Sequence, residues 1–455
     1  MAVSLRETGR VRGNTCRTLI VGLGESGLSV ARYLSRTSAQ VAIVDNRMEP
    51  PGLARLREEL SDDIALFLGR FHHEAFTRAE RIVVSPGVSV NEPEIAAAAA
   101  RGVEIIGDIE LFVRAATAPV VAVTGSNGKS TVTTLFGVMA KQAGLEVRVG
   151  GNLGTPALDL LGKAEPDCYA LELSSFQLET THNLRAAAAT VLNISADHLD
   201  RYPDLAAYAA SKQRIYQGAR VQVVNRDDAN AADLADPQRQ QIGFTLAPPA
   251  EGDYGIIMHG DEQWLARGNK ALMPVSGLRM AGWHNTGNAL AALALGGAIG
   301  LPQDIMIETL REFPGLPHRC QWIGEYNGVS WYNDSKGTNV GATQAAIRGT
   351  AGPVVLIAGG DGKGADFSPL ADSVRDKCRA VILIGQDAPR LEEAIGGAAP
   401  VVHAASMREA VLCASERMLP GDSVLLSPAC SSLDMFRDYQ ERGTAFMDSV
   451  RELMK

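Results

Sequence analysis

The segment AVTGSNGKSTVTT, from Ala122 to Thr134, brings glycines, a lysine and hydroxyls into one short run. Gly125 and Gly128 permit a tight backbone curl that turns N–H groups inward, toward an anion. Lys129 is placed to reach terminal phosphates, and Ser130 or Thr131 to ligate Mg²⁺. The full phosphate-loop pattern asks for a glycine, four residues and then Gly-Lys-Ser/Thr. Val123 stands where that first glycine belongs. Two readings stay open: a phosphate cradle, or a helix N-terminus in which Ser126 and Asn127 satisfy the first turn.

A second glycine pattern, Gly22-x-Gly24-x-x-Gly27, follows an apolar run in TLIVGLGESGLSVARYL, with Asp45 at the end of the next run. This is the dinucleotide fingerprint in its usual context, and alone it points to a dehydrogenase. Its plain alternative is a tight strand-to-helix turn. In LELSSFQLE, Glu172 ends an apolar strand, where a carboxylate is costly unless something binds it. Phosphate-loop enzymes use a neighbouring-strand carboxylate to help hold the metal; the plain alternative is an ion pair at a sheet edge. LNISADHLDRYPD crowds Asn193, Asp197, His198 and Asp200 at one strand end, the edge where open α/β sheets bind ligands. Lys212, in YAASKQRIY, reads from spacing as an ordinary solvated lysine. GWHNTGNALAALAL sets Asn285 and Asn288 in the first turn of a buried helix, where asparagine also caps well. Arg319 sits in LPHRC, and Asp334, Lys336 and Thr338 in a turn after a strand. Lys363 lies in a glycine-rich loop, and Ser432 near the start of a helix.

The elements that must carry these groups are short Val/Ile/Leu runs followed by a turn and a helix-like stretch. They fall at 18–24, 40–45, 81–87, 119–125, 169–173, 190–195, 221–225, 354–360, 380–385 and 423–429. Near-continuous apolar strands alternating with helices mean parallel sheets covered on both faces, hence α/β architecture. The runs form three groups, and a chain of 455 residues agrees with roughly three domains. Residues 226–275 are polar and read as a small antiparallel region.

Bulk properties narrow the class. A chain 46% hydrophobic and 21% charged fits a soluble globular protein. A net charge of -9 argues against nucleic acid as main partner but leaves small anionic ligands open. Cys16, Cys168, Cys320, Cys378, Cys413 and Cys430 are scattered without a C-x-x-C pair, which reads as free thiols in a reducing cytoplasm. The N-terminus lacks the apolar core of a signal peptide. The longest helix-like apolar run, 289–301, is too short to span a bilayer. No coiled coil or large apolar stripe calls for assembly, so a monomer is expected.

TGSNGKST, ELSSFQLE, DHLDRY, HNTGN, GLPHR, NDSKGTN, GGDGK and SPACSS follow in this order, and with them the chain resembles the Mur ligases from Gly22 to Gly443. The resemblance implies a Rossmann-like UDP-substrate domain (1–110), a central phosphate-loop ATP domain (111–315) and a C-terminal Rossmann-like amino-acid domain (316–455). It implies addition of D-glutamate to UDP-N-acetylmuramoyl-L-alanine through an acyl phosphate, giving ADP and phosphate, in peptidoglycan precursor synthesis. ATP would be held by Gly125, Ser126, Asn127, Gly128, Lys129, Ser130, Thr131, Asn285, Asn288, Arg319, Asp334 and Lys336. Two Mg²⁺ ions are implied, one at Ser130 and Glu172, the other at His198 and a carbamylated Lys212. The nucleotide-sugar would meet Gly24, Glu25, Ser26, Asp45, Asn46, Arg47, Gly87, Asn152, Ser174 and Gln177, so the first fingerprint is reassigned away from a nicotinamide cofactor. D-glutamate would be held by Thr338, Lys363, Ser432 and the N–H of Tyr439, a tyrosine where the family's close members have phenylalanine.

Three alternatives compete. Another amide ligase of the superfamily is the nearest, but the Asn-Pro-Arg signature of members adding diaminopimelate or lysine is replaced here by GGDGKGADF. A dehydrogenase leaves every other motif unexplained. A non-catalytic nucleotide-binding module is at odds with Lys129, Glu172, His198 and Lys212 occurring together.

Overall fold

The computed structural model describes residues 17–37, 39–60, 64–198, 201–280 and 282–454. Cys16 and Asp200 lie outside them. The chain divides into two compact units, and the first comprises residues 1–116, 155–163 and 176–183. Its sheet has five parallel strands in the order Ala65–Leu68, Gln40–Asp45, Arg17–Val21, Arg81–Val84, Glu104–Ile106. Val21, Val44, Phe76, Ile82 and Ile95 fill one face. The chain runs outward in both directions from Arg17–Val21, so the switch point lies between that strand and Arg81–Val84, and ligand crevices open at such points. Gly22, at φ 91°, and Gly27 make the crossing possible: a Cβ on Gly27 would sit 2.0 Å from the Gly22 carbonyl oxygen.

The second unit carries two sheets. The nine-stranded one runs Lys270–Pro274, Glu262–Arg267, Tyr254–His259, Gln240–Phe244, Val221–Asn225, Ala188–Val191, Val120–Thr124, Cys168–Glu172, Val147–Gly151. Pairing is parallel from Val147–Gly151 through to Tyr254–His259 and antiparallel in the final meander. The expected antiparallel region at 226–275 is therefore only half right, because Gln240–Phe244 joins the parallel part. Helices Lys129–Gln142 and Trp283–Ala298 pack on this sheet, and the second is apolar around most of its girth because it is buried there. The run read at 190–195 is a strand only as Ala188–Val191; residues 192–198 leave the sheet.

The six-stranded sheet runs Gln321–Tyr326, Val329–Asn333, Ser423–Leu426, Val354–Gly359, Cys378–Ile384, Val401–His403, parallel except for the first pair. It has a core on each face, one around Leu356, Phe367 and Leu391, the other around Trp331, Ile382 and Phe446. Near-continuous apolar strands such as Val354–Gly359 follow from this double burial. Among the described residues no helix is long and apolar enough to cross a membrane.

Candidate active site

The loop after Val120–Thr124 curls through Gly125, at φ 147°, and Gly128, at φ 84°. Left-handed backbone is cheap only for glycine. Space is short as well: a Cβ on Gly128 would lie 2.4 Å from Asn288 Oδ1. Gly128 caps the helix that starts at Lys129, without any side-chain cap bond. Ser126 and Asn127 are therefore not helix caps. Ser126 Oγ donates to the Ser195 carbonyl at 3.0 Å and accepts from the Ser195 N–H at 3.0 Å. The Asn193 side chain clamps Asn127, accepting from its N–H at 2.8 Å and donating to its carbonyl at 3.0 Å.

Two lysines converge on this curl. Lys129 Nζ donates to the carbonyls of Gly125 and Ser126, each at 2.8 Å. Lys212 Nζ donates to the same Gly125 carbonyl at 2.9 Å and lies 4.6 Å from the Tyr208 ring centroid. Lys212 is 1% exposed, so the solvated-lysine reading fails. Burial first, then the neighbouring Lys129 charge, hold its amine well below the usual lysine value. Burial also lowers Lys129.

Glu172 ends strand Cys168–Glu172 and is 3% exposed. Its Oε2 accepts from Ser130 Oγ at 2.6 Å and its Oε1 from Asn152 Nδ2 at 2.7 Å. Arg319 Nη2 in turn donates to Ser130 Oγ at 2.6 Å. The carboxylate expected from its strand-end position is thus joined to the loop hydroxyl. His198 stands in left-handed backbone at φ 56°, its Nε2 3.8 Å from Asp197 Oδ2. Among the described residues no three His, Cys, Asp or Glu side chains gather as a metal cluster. Ser130 with Glu172 nevertheless fits a hard cation, because both offer oxygen and substrate phosphates complete such shells.

One cavity of about 320 Å³ is lined by Asn127, Gly128, Thr131, Asn285, Asn288, Arg319, Asp334 and Lys336. Asn285 and Asn288 are not helix caps, since Gly282 holds that position. Asn288 lies a turn beyond the helix start and donates to Asn285 Oδ1 at 3.1 Å. Lys336 Nζ lies 3.9 Å from the Tyr439 ring centroid, and burial lowers its amine to about 8. Burial raises the Asp334 carboxyl to about 6, against the Ser427 hydroxyl, the Cys320 N–H and the Arg319 charge. The folded chain therefore holds that proton to higher pH than the unfolded chain, and stability falls as pH rises through about 6. Asp334→Asn is expected to melt higher than the parent at neutral pH, by a gap that opens from about pH 4 and levels off above about pH 7. Thermal melts across that range check this, and a gap independent of pH contradicts it.

Thr338 and Lys363 are exposed, while Ser432 is buried. The Lys363 loop is joined to the Ser432 loop by the backbone of Asp361 and Ser431, and the Thr338 loop to the Ser432 loop by a residue that no sequence pattern selects. Arg442, 1% exposed, donates to Ser335 Oγ at 3.0 Å, to the Ser335 carbonyl at 2.8 Å and to the Cys430 carbonyl at 3.1 Å. Asn339 was missed too. It caps helix Val340–Gly349 and donates to Asp197 Oδ2 and Asn127 Oδ1, each at 3.3 Å. Asn339 had one available signal, asparagine beside a turn, which is too common to single it out.

In the other unit, Asp45 Oδ2 accepts from the Leu23 N–H at 2.8 Å, and Arg47 grips both carboxylate oxygens at 2.9 and 2.7 Å. Burial opposes ionisation of Asp45, but Arg47 and the backbone N–H groups outweigh it and hold the carboxyl below its ordinary value. Gly24 and Gly87 face open space at the switch point, since a Cβ on either would meet nothing within 4 Å. Glu25 is exposed and pairs with Arg55 at 2.8 Å, and Asn46 is exposed; Ser174, in the second unit, is half-buried two residues beyond the Glu172 strand. Gln177 is buried within this first unit.

A strand-to-helix glycine curl with lysine and hydroxyl behind it, and a buried carboxylate on the adjacent strand, is the design of α/β proteins that grip a nucleotide's phosphates. Within that class, the chain belongs to the Mur ligase family. The Mur ligase MurD-like N-terminal domain matches residues 16–107, the Mur ligase middle domain 123–296 and the Mur ligase glutamate ligase domain 318–430. The UDP-N-acetylmuramoylalanine--D-glutamate ligase of Nitrosococcus oceani is 55% identical over 439 residues, 96% of this chain and 97% of that one. The enzyme of the same name from Pseudomonas putida is 51% identical over 454 residues, 99% of each chain. Among solved structures, a pseudomurein peptide ligase type C from Methanothermus fervidus superposes with TM-score 0.61 at 18% identity, covering 96% of this chain and 100% of that one. The UDP-N-acetylmuramate-alanine ligase of Thermotoga maritima gives 0.59 at 19%, covering 96% and 99%. These two likenesses bear on the fold alone.

Proposed function

We propose that this chain joins D-glutamate to UDP-N-acetylmuramoyl-L-alanine at the expense of ATP, in peptidoglycan precursor synthesis. The observation that carries this reading is the buried Glu172 carboxylate tied to Ser130 of the phosphate loop. Relatives at half identity over nearly their full length, all named for this reaction, support it. Three domains are proposed, at 1–110, 111–315 and 316–455.

A carboxylate oxygen of the substrate attacks the γ-phosphorus of ATP, and the bond to the β-phosphate oxygen breaks to release ADP. The amine of D-glutamate then adds to the acyl phosphate carbonyl, loses a proton, and the tetrahedral adduct expels phosphate to leave the amide. Such transfer needs positioning and charge neutralisation more than covalent chemistry. Gly125, Ser126, Asn127, Gly128 and Thr131 offer the curl that receives the phosphates, and Lys129 neutralises them. Asn285, Asn288, Arg319, Asp334 and Lys336, around one cavity, hold the rest of ATP. Glu172 with Ser130 would hold one Mg²⁺, and His198 with Lys212 a second. When bound, the ions neutralise charge between two anionic reactants. Lys212 serves as a carbamate: its Nζ adds to the carbon of CO₂ and loses a proton, which turns a buried cation into an anion. Its burial and its sharing of one carbonyl acceptor with Lys129 support this.

Gly24, Glu25, Ser26, Asp45, Asn46, Arg47, Gly87, Asn152, Ser174 and Gln177 are assigned to the nucleotide-sugar, with Asp45 acting through Arg47. Thr338 and Lys363 take one carboxylate of D-glutamate, Ser432 and the Tyr439 N–H the other. A cytoplasmic monomer is proposed; free thiols at Cys168, Cys320, Cys378, Cys413 and Cys430 support the compartment.

Phosphate release in the presence of ATP, Mg²⁺ and UDP-N-acetylmuramoyl-L-alanine, with each amino acid supplied in turn, tests the reading. Release is expected with D-glutamate. Release with another acceptor instead, or with none, overturns it.

A further inference from the structure

Asp108 and Glu110 open helix Asp108–Ala115, and both are buried, at 2% and 0% exposure. Buried acids are rare unless paired. Glu110 is satisfied: Oε2 accepts from the N–H groups of His182 and Asn183 at 2.7 and 3.0 Å, and Oε1 from Arg114 at 2.8 Å. The preceding Gly107 donates to the Thr180 carbonyl at 3.2 Å, so closely that a Cβ there would lie 2.2 Å from Thr180 Oγ1. The helix start therefore brackets segment 177–183, which begins with Gln177.

Asp108 differs from Glu110. Its Oδ2 accepts from Gln177 Nε2 at 3.2 Å, while its buried Oδ1 finds no hydrogen-bond partner among the described residues. Burial raises the carboxyl, against the Gln177 amide, the backbone N–H groups of Ile109 and of Asp108 itself, and the Ser26 hydroxyl. A buried polar atom left unmatched is costly, and a native chain that bears such a cost calls for an explanation. An aliphatic residue would fill the space without that cost, but it could not hold the Gln177 amide.

We propose that Asp108 is a positioning residue for the nucleotide-sugar, fixing the Gln177 side chain that faces that substrate. This rests on the assignment of Ser26 and Gln177 to that substrate. The carboxyl touches no reacting atom and acts only through Gln177.

The test uses the full-length enzyme. Asp108→Ser suits a helix start but is too short to reach Gln177, and Asp108→Ala is the second variant if the first melts early. Either is expected to raise KM for UDP-N-acetylmuramoyl-L-alanine about tenfold, with kcat and the KM values for ATP and D-glutamate within about twofold. Asp108→Asn, whose carbonyl still accepts from Gln177, is expected to stay within about threefold of the parent. In a Gln177→Ala background Asp108→Ser adds less than about twofold, because residues acting in series are not additive. An unchanged KM in the first variant, a common shift of all three KM values, or equal effects in both backgrounds overturns the proposal. If the parent enzyme itself fails to bind UDP-N-acetylmuramoyl-L-alanine, the substrate assignment falls and the proposal falls with it. If it binds and the variants match it, only the proposal falls.

Discussion

Lys129→Ala is expected to lower kcat between about a hundredfold and a thousandfold, roughly 3–4 kcal/mol of transition-state stabilisation. The amine stands one residue beyond the left-handed Gly128 and is already folded over the loop, with two carbonyls as acceptors. It needs only to exchange those carbonyls for phosphate oxygens. A half-buried ammonium close to developing phosphate charge acts more strongly than one in water, because the surroundings screen it less. The loss should appear in kcat at saturating ATP, while the melting temperature moves little, since the amine bridges loop carbonyls and not the apolar core. Steady-state phosphate release together with a thermal melt measures both. A kcat within threefold of the parent would remove Lys129 from the reaction.

Lys212→Ala is expected to lose at least about a hundredfold in kcat, roughly 3 kcal/mol. Here the sign of the charge is the point. An unmodified lysine near a metal ion repels it, whereas a carbamate attracts it. Short carboxylates such as formate or acetate should then restore part of the lost activity, since the vacated space accepts a small anion. Short amines should not. Full activity in Lys212→Ala, or rescue by amines and not carboxylates, would refute the carbamate. The two lysines share the Gly125 carbonyl, so their effects should not add in the double variant.

The contrast between these lysines shows what could be read from the chain and why. Lys129 was legible because its partners are neighbours in sequence: glycine, lysine and serine on one strand-to-helix turn. Glu172 was legible because an apolar strand ending in a carboxylate is an anomaly by itself. Lys212 looked ordinary because its acceptor, Gly125, lies far along the chain, and family resemblance alone raised it above a surface lysine. Asn339 and Arg442 went unseen for the same reason, since each clamps a loop remote in sequence, whereas Asn193 was legible at its strand end but not as the clamp on Asn127. The strands were legible wherever both faces are buried, as at Val221–Asn225 and Gln40–Asp45. Ala188–Val191 was misplaced because Leu192 and Ile194 extend the apolar run, while the Asn193 side chain, committed to the Asn127 backbone, draws the chain off the sheet. Asn285 and Asn288 suited a cap by residue type, but Gly282 took that place.

The meander Tyr254–Pro274 has a bearing on solubility. Without it, the parallel layer would end at the rim Gln240–Phe244, whose apolar end at Phe244 and Thr245 is the part that the meander pairs with. Such a rim is a template for another chain's strand, and self-association grows from it. The three added strands move the rim outward to Lys270–Pro274, a five-residue strand with a lysine at its start and a proline at its end. The proline offers no N–H, and the lysine resists burial against a second copy. This appendage therefore works as a hem that keeps the nine-stranded sheet from growing into its neighbours.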